Sequence, residues 1–295
     1  MSRMRILALH GMGCSAKILR AQLSTFIRAV DDYYEIVCID GFFESTRGPG
    51  IEKDNPGPFY TYTQGYAPSD ILESHKRLRK VVSNHGPFDG VLGFSQGGAI
   101  ALAYLYHQQQ DGFTPDFKFA IFLSTIVPFS ADCRTLEKAA QHLCDPVRNP
   151  LPRESHQHRL ASELRDVLLH IFTVSSSIGA TAAGYDNNYF FRPGADPAEV
   201  PRPLHPRLIC LADDAKTPAD LNTRLAIPTV HAHGRRDFVY MRESAEAVRE
   251  LCEPRLARFL MHSGGHSPPQ RSDEVAALAQ AVHRAVRQYY EIAHL

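Results

Sequence analysis

The chain of 295 residues has no tryptophan and no net charge, with Lys+Arg and Asp+Glu both at 32. Nucleic acid and other polyanions require a basic excess or a basic stripe, so charge balance speaks against both as partners. No apolar run approaches the roughly 18–20 residues of a membrane span. Between Met1 and Gly13 the apolar core is only Ile6-Leu7-Ala8-Leu9, short of the about 7–15 residues of a secretory signal. Cys14, Cys38, Cys133, Cys144, Cys210 and Cys252 are far apart, with neither CxxC nor zinc spacing. They read as reduced thiols of a cytoplasmic protein. Internal repeats and low-complexity tracts are also missing.

What the chain does contain is alternation. Short apolar runs at Arg5 to Leu9, Ile36 to Ile39, Phe88 to Phe94 and Phe117 to Leu123 read as buried strands. Helical patterns separate them: Leu19, Leu23, Phe26, Ile27 and Val30 share one face, then Ser69 to Val82, then Gln96 to Gln109. Gly41 to Tyr66 reads as a long loop. Strands alternating with helices predict a mostly parallel sheet flanked by helices, an α/β class. The alternation lapses from Pro128 to Pro228, which holds 11 of the 20 prolines. Proline lacks a backbone donor and argues against interior strands there, although Leu160, Leu164, Val167, Leu168 and Ile171 mark one amphipathic helix. Strands at Ile227 to Ala232 and Ala257 to Met261, a helix around Ser244 to Leu251 and a last helix from Ser272 complete the pattern. The expectation is one domain over residues 1–295, interrupted by a lid-like insertion at about 128–226.

Gly93-Phe94-Ser95-Gln96-Gly97 lies between an apolar strand and a helix, the context of a nucleophile elbow. A serine hydroxyl needs a base and an orienting acid, which in such a fold follow in the order acid, histidine. Asp237 stands just after the strand from Ile227, in His233-Gly234-Arg235-Arg236-Asp237. His266 stands in Gly264-Gly265-His266-Ser267-Pro268, before the last helix. Asp213, Asp214 and Asp220 are rivals to Asp237, but lie in the proline-rich segment. An oxyanion hole needs two backbone N–H groups. Gln96, just after the serine, supplies one, and Met12, between Gly11 and Gly13, the other. A histidine base of ordinary pKa predicts a rate rising through about pH 6.5.

These segments, with Leu9-His10-Gly11, Asp40-Gly41-Phe42 and Gly48-Pro49-Gly50, resemble the fungal serine hydrolases often called the FSH1 type. The resemblance implies an α/β-hydrolase fold and a triad of Ser95, Asp237 and His266. It also implies esterase activity or thioesterase activity that releases polyketides, without a cofactor. The long insertion resembles the secondary-metabolite branch, with a hydrophobic small-molecule acyl substrate and an acyl-carrier domain as a candidate partner. A general carboxylesterase and an acyl-transferring cyclase share the same acyl-enzyme. A ligand-binding protein that kept the fold would not need all three triad members.

Other features carry less. His231-Ala232-His233 and His156-Gln157-His158 imitate metal pairs but lack neighbouring ligands at the right spacing. Arg235 and Arg236 suit a carboxylate or phosphopantetheine contact, with plain solvent exposure as the alternative. Tyr185, Tyr189, Phe190 and Phe191 suit an acyl pocket or simple packing.

Overall fold

The computed structural model describes residues 3–177, 195–212 and 224–293. Asp213, Asp214, Asp220, Tyr185, Tyr189, Phe190 and Phe191 lie outside them. Six strands form one parallel sheet: β1 (Met4–Leu9), β2 (Tyr34–Ile39), β5 (Gly90–Phe94), β6 (Phe119–Leu123), β7 (Thr229–Gly234) and β8 (Ala257–His262). Their order is β2-β1-β5-β6-β7-β8. Every residue of β5, β6 and β7 is buried, because helices cover both faces and leave these strands no solvent side. The side-chain period of two divides the core. Leu7, Leu9, Val91 and Phe122 join one cluster; Ile6, Ala8, Leu92, Ile121 and Val230 join the other.

The second cluster is closed by α1 (Ala16–Gln22), α2 (Ser24–Val30) and α9 (Ser272–Ala293). The single apolar face expected over Leu19 to Val30 is carried by two helices that meet at Leu23. Leu23 N–H still reaches Leu19 O, and Ile27 N–H reaches Leu23 O, both at 2.8 Å. Leu19, Leu23, Phe26 and Val30 therefore stay on one buried stripe. On the opposite face lie α3 (Pro68–His85), α4 (Gln96–Gln110) and α8 (Val239–Glu250). The helix expected around Ser244 thus begins earlier, directly after Asp237-Phe238. Within the expected loop at 41–66, β3 (Phe43–Glu44) and β4 (Tyr60–Thr61) form a short antiparallel pair. Two-residue strands leave too little periodicity to detect in a sequence.

Between β6 and β7 the described residues hold α5 (Glu137–Cys144), α6 (His156–Ser177), a 3-10 turn at Pro197–Glu199 and α7 (Pro206–Ala212), with no named strand. The base of this segment is stitched by Ser130 N–H to Arg202 O at 2.7 Å and Leu204 N–H to Pro128 O at 2.8 Å. Arg202 is 1% exposed. Its guanidinium donates to the carbonyls of Thr135 (2.9 Å), Pro197 (2.8 Å) and Val200. Burial pushes its pKa down to about 10, so it stays charged at neutral pH. A buried guanidinium has five N–H donors to satisfy, and here carbonyls left free by the irregular backbone receive them. The parallel sheet, its order and the strand–turn–helix at Ser95 are those of the α/β-hydrolase fold.

Several histidines are interior. Burial lowers His10 to about 4, His75 to about 3 and His231 to about 3. All three fold as neutral imidazoles, so between their folded values and about 6.5 the unfolded chain binds protons that the native chain does not. Stability is therefore expected to fall as pH drops below about 6.5, by about 1.4 kcal/mol per pH unit for each such group. Thermal melts between pH 7 and 4 check this. An unchanged Tm down to pH 4.5 would contradict the neutral assignment.

Candidate active site

Ser95 joins β5 to α4 with φ 52° and ψ −116°, a strained backbone for a residue with a side chain. The turn is held by Ser95 N–H to Leu123 O (2.9 Å) and by Gly98 and Ala99 N–H to Ser95 O (3.1 and 3.2 Å). The neighbouring glycines have a steric reason. A Cβ on Gly97 would lie 2.4 Å from Leu9 O and 2.6 Å from His10 O, and one on Gly93 would lie 2.3 Å from Gly98 Cα. The helix can start this tightly against β1 only without those carbons.

The loops after β7 and β8 meet over this turn. His266 Nε2 lies 3.1 Å from Ser95 Oγ, and His266 Nδ1 lies 3.0 Å from Asp237 Oδ2. The Asp237 side chain is 0% exposed and that of His266 is 19% exposed. Asp237 Oδ1 accepts the N–H of Phe238 at 2.8 Å, at the start of α8, where the helix dipole favours a carboxylate. With Oδ2 facing Nδ1, the imidazole carries its proton on Nδ1 and leaves Nε2 free to accept from the serine. The Phe94 ring packs 5.0 Å from the His266 ring.

Arg235 and Arg236 are exposed. The backbone of both binds the histidine loop: Arg235 N–H to His262 O (2.8 Å) and Arg236 N–H to Gly264 O (3.0 Å). Arg236 Nε adds a bond to Ser263 O at 2.7 Å. Arg236 therefore ties the Asp237 loop to the His266 loop, a contact with no signal in the local sequence.

Met12 and Gln96 line the same cleft as Ser95 and His266. The Met12 loop is shaped by a backbone-to-backbone approach, with Gly48 N–H donating to Gly13 O at 2.8 Å. A Cβ on Gly48 would lie 2.1 Å from Met12 O, and Gly13 adopts φ +62°. The Gln96 side chain turns away from the serine, its Oε1 accepting Thr61 Oγ1–H (2.9 Å) and Tyr62 N–H (3.1 Å). It thereby anchors the 41–66 segment. His10 does the same from β1, its Nε2 accepting Gly41 N–H at 2.8 Å.

The cleft measures about 160 Å³ and is walled by Tyr66, Ile126, Phe129, Ile171, Phe172 and Phe238, among others. Only Ile171 among these was singled out from the sequence, as part of a helical stripe. Single aromatics scattered over 170 residues carry no local signal of a shared cavity. His231 Nε2 meets Thr229 Oγ1 at 2.9 Å, His233 packs on Phe259, and His158 packs on His142. Among the described residues no group of three or more His, Cys, Asp or Glu side chains is arranged to hold a metal. Nor is any described helix long and apolar enough to cross a membrane.

The chain is 36% identical over 288 residues to Esterase alnB of Emericella nidulans, covering 96% of each protein. It is 29% identical over 285 residues to Hydrolase FUB4 of Fusarium oxysporum f. sp. lycopersici, covering 95% of this chain and 97% of that one. With Serine hydrolase cnsH of Penicillium expansum it shares 28% over 244 residues, 81% of this chain and 94% of the other. Among solved structures, Arabidopsis thaliana SOBER1 is similar with a TM-score of 0.48 at 14% identity, covering 97% of this chain and 100% of that one. The family description Serine hydrolase (FSH1) matches residues 1–278. That span contains Ser95, Asp237 and His266, and by it the chain belongs to the FSH1 serine hydrolase family.

Proposed function

We propose that this serine hydrolase cleaves an ester or thioester of a hydrophobic acyl group through an acyl-serine intermediate, releasing a polyketide-type acid. The observation that carries the reading is the hydrogen-bonded chain from Ser95 through His266 to Asp237, opening into an apolar cleft. Ser95 Oγ attacks the acyl carbonyl while its proton passes to His266 Nε2. Asp237 holds the imidazole in the accepting tautomer and stabilises the imidazolium. The N–H groups of Met12 and Gln96 receive the oxyanion, at the positive end of α4. Collapse expels the alcohol or thiol, which takes the proton from His266. Water, deprotonated by His266, then attacks the acyl-serine, and the carboxylic acid leaves as Ser95 recovers its proton.

In this reading the described residues of the segment 128–226 form a lid over the cleft, since Phe129, Ile171 and Phe172 come from it and line the cleft. An acyl-carrier domain is the proposed donor of a thioester substrate. The relative alnB is named an esterase, which keeps the ester as the alternative substrate. The test compares acyl-carrier thioesters with simple aryl esters of the same acyl group and detects the acyl-enzyme by mass. A preference for the thioester, with the added mass on Ser95, is expected. Acylation at a residue other than Ser95 would overturn the mechanism, and faster aryl-ester turnover would reassign the substrate to a carboxylester.

A further inference from the structure

A second cavity, about 660 Å³, lies on the other side of the chain segment that walls the Ser95 cleft. Phe129 faces the Ser95 cleft, whereas the next residues, Ser130 and Ala131, face this one. Its volume falls in the range of small-molecule sites, about 300–1,000 Å³, and the mechanism above makes no use of it. The floor is built from α3 and α4. His75 is 7% exposed and faces the cavity with its ring between those of Tyr104 and His107, at 5.6 and 5.5 Å. His75 Nε2 is buried and has no hydrogen-bond partner. His107 Nε2, by contrast, accepts Ala131 N–H at 3.0 Å.

The lining has a clear polarity. Leu72, Leu136, Leu204 and Leu208 supply an apolar wall. Of the charged side chains present, Arg134 and Asp132 pair with each other at 3.0 Å. Lys76 and Arg79, one turn apart on α3, face the cavity and take part in no salt bridge among the described residues. Arg79 also reaches the Tyr104 hydroxyl, which is itself engaged by Asp116. The remaining acid is Asp111, an exposed residue at the end of α4. The balance suits one negative charge attached to an apolar body.

We propose that this cavity is a second ligand site, separate from the Ser95 cleft, that binds a monocarboxylate with a long apolar chain. Lys76 and Arg79 meet the carboxylate, and the leucine wall takes the chain. The carboxylate class is that of the acid released in the proposed reaction, and to that extent the choice of ligand rests on the reading above. The site itself does not.

The test uses decanoate bearing a chain-terminal diazirine, photo-crosslinked to the whole protein and mapped by mass, together with titration of decanoate and of decanol. Crosslinks in peptides containing residues 72–79, 104–111, 130–136 and 203–209 are expected. Lys76→Gln/Arg79→Gln is expected to weaken decanoate at least fivefold and to leave decanol unchanged. Crosslinks confined to the Ser95 cleft, or decanoate affinity indifferent to Lys76→Gln/Arg79→Gln, would overturn the proposal. Aryl-ester turnover of this variant and of Ser95→Ala is read in parallel. Unaltered turnover without binding sinks the second site alone, whereas turnover that does not depend on Ser95 sinks the catalytic reading alone.

Discussion

Replacing Ser95 by alanine is expected to lower ester turnover by roughly 10⁴- to 10⁶-fold while the protein remains folded. The hydroxyl is the attacking atom in the proposed mechanism, and no other described side chain stands in its place beside His266 Nε2. The structural cost is small. Ser95 Oγ makes its hydrogen bond to His266, whose ring borders the cleft, so stability should stay within about 1 kcal/mol of the parent. Rate and melting temperature, measured on the same preparation, separate the two effects. A fluorophosphonate supplies the complementary measurement, expected to label Ser95 in the parent and nothing in the variant. Folded parent protein that resists labelling would remove Ser95 from the role of nucleophile.

Asp237→Asn should have the next largest effect, about 10⁴-fold in kcat with little change in KM. The carboxylate is fully buried, with Oδ1 on the Phe238 N–H and Oδ2 on His266 Nδ1. In the variant the amide oxygen keeps the Phe238 bond and the NH₂ group faces Nδ1. Two donors cannot share that contact, so the imidazole moves its proton to Nε2 and loses the lone pair that accepts from the serine. The shape of the site is preserved while its tautomer is reversed. A variant within tenfold of the parent would show that another acid orients His266 and would return Asp213, Asp214 and Asp220 to consideration.

Legibility in the sequence followed the range of the interactions. The strands at β1, β5, β6 and β7 were visible because strands buried on both faces are short, continuous apolar runs. The Ser95 turn was visible because glycines are required at fixed offsets where a helix starts against a neighbouring strand. That the loops of Asp237 and His266 meet at one edge was legible, since the order of elements in a parallel sheet sends loops after later strands there. The β3–β4 pair was not visible, and the first helical stretch gave no sign of its break at Leu23.

The walls of the cleft were also beyond reach of the sequence. Tyr66, Phe129, Phe172 and Phe238 come from four separate segments, and nothing local to any of them states that they converge. Nothing local to Arg202 marks it for its carbonyl partners, and Arg236, exposed as one alternative had it, also holds Ser263 O. In the sequence His10 stands out only within the Leu9-His10-Gly11 motif and Gln96 only through its backbone N–H; that their side chains hold the 41–66 segment had no local signal.

The sequence by itself determined the α/β alternation, the turn at Ser95 and the proline-rich interruption, because periodicity, glycine placement and the missing N–H of proline act within a few residues. Only the tertiary structure decided the 3.1 Å contact between residues 171 positions apart, the width and lining of the cleft, and the second cavity behind Phe129. Those depend on how helices pack across the sheet, where each side chain answers to neighbours that its own stretch of sequence does not contain.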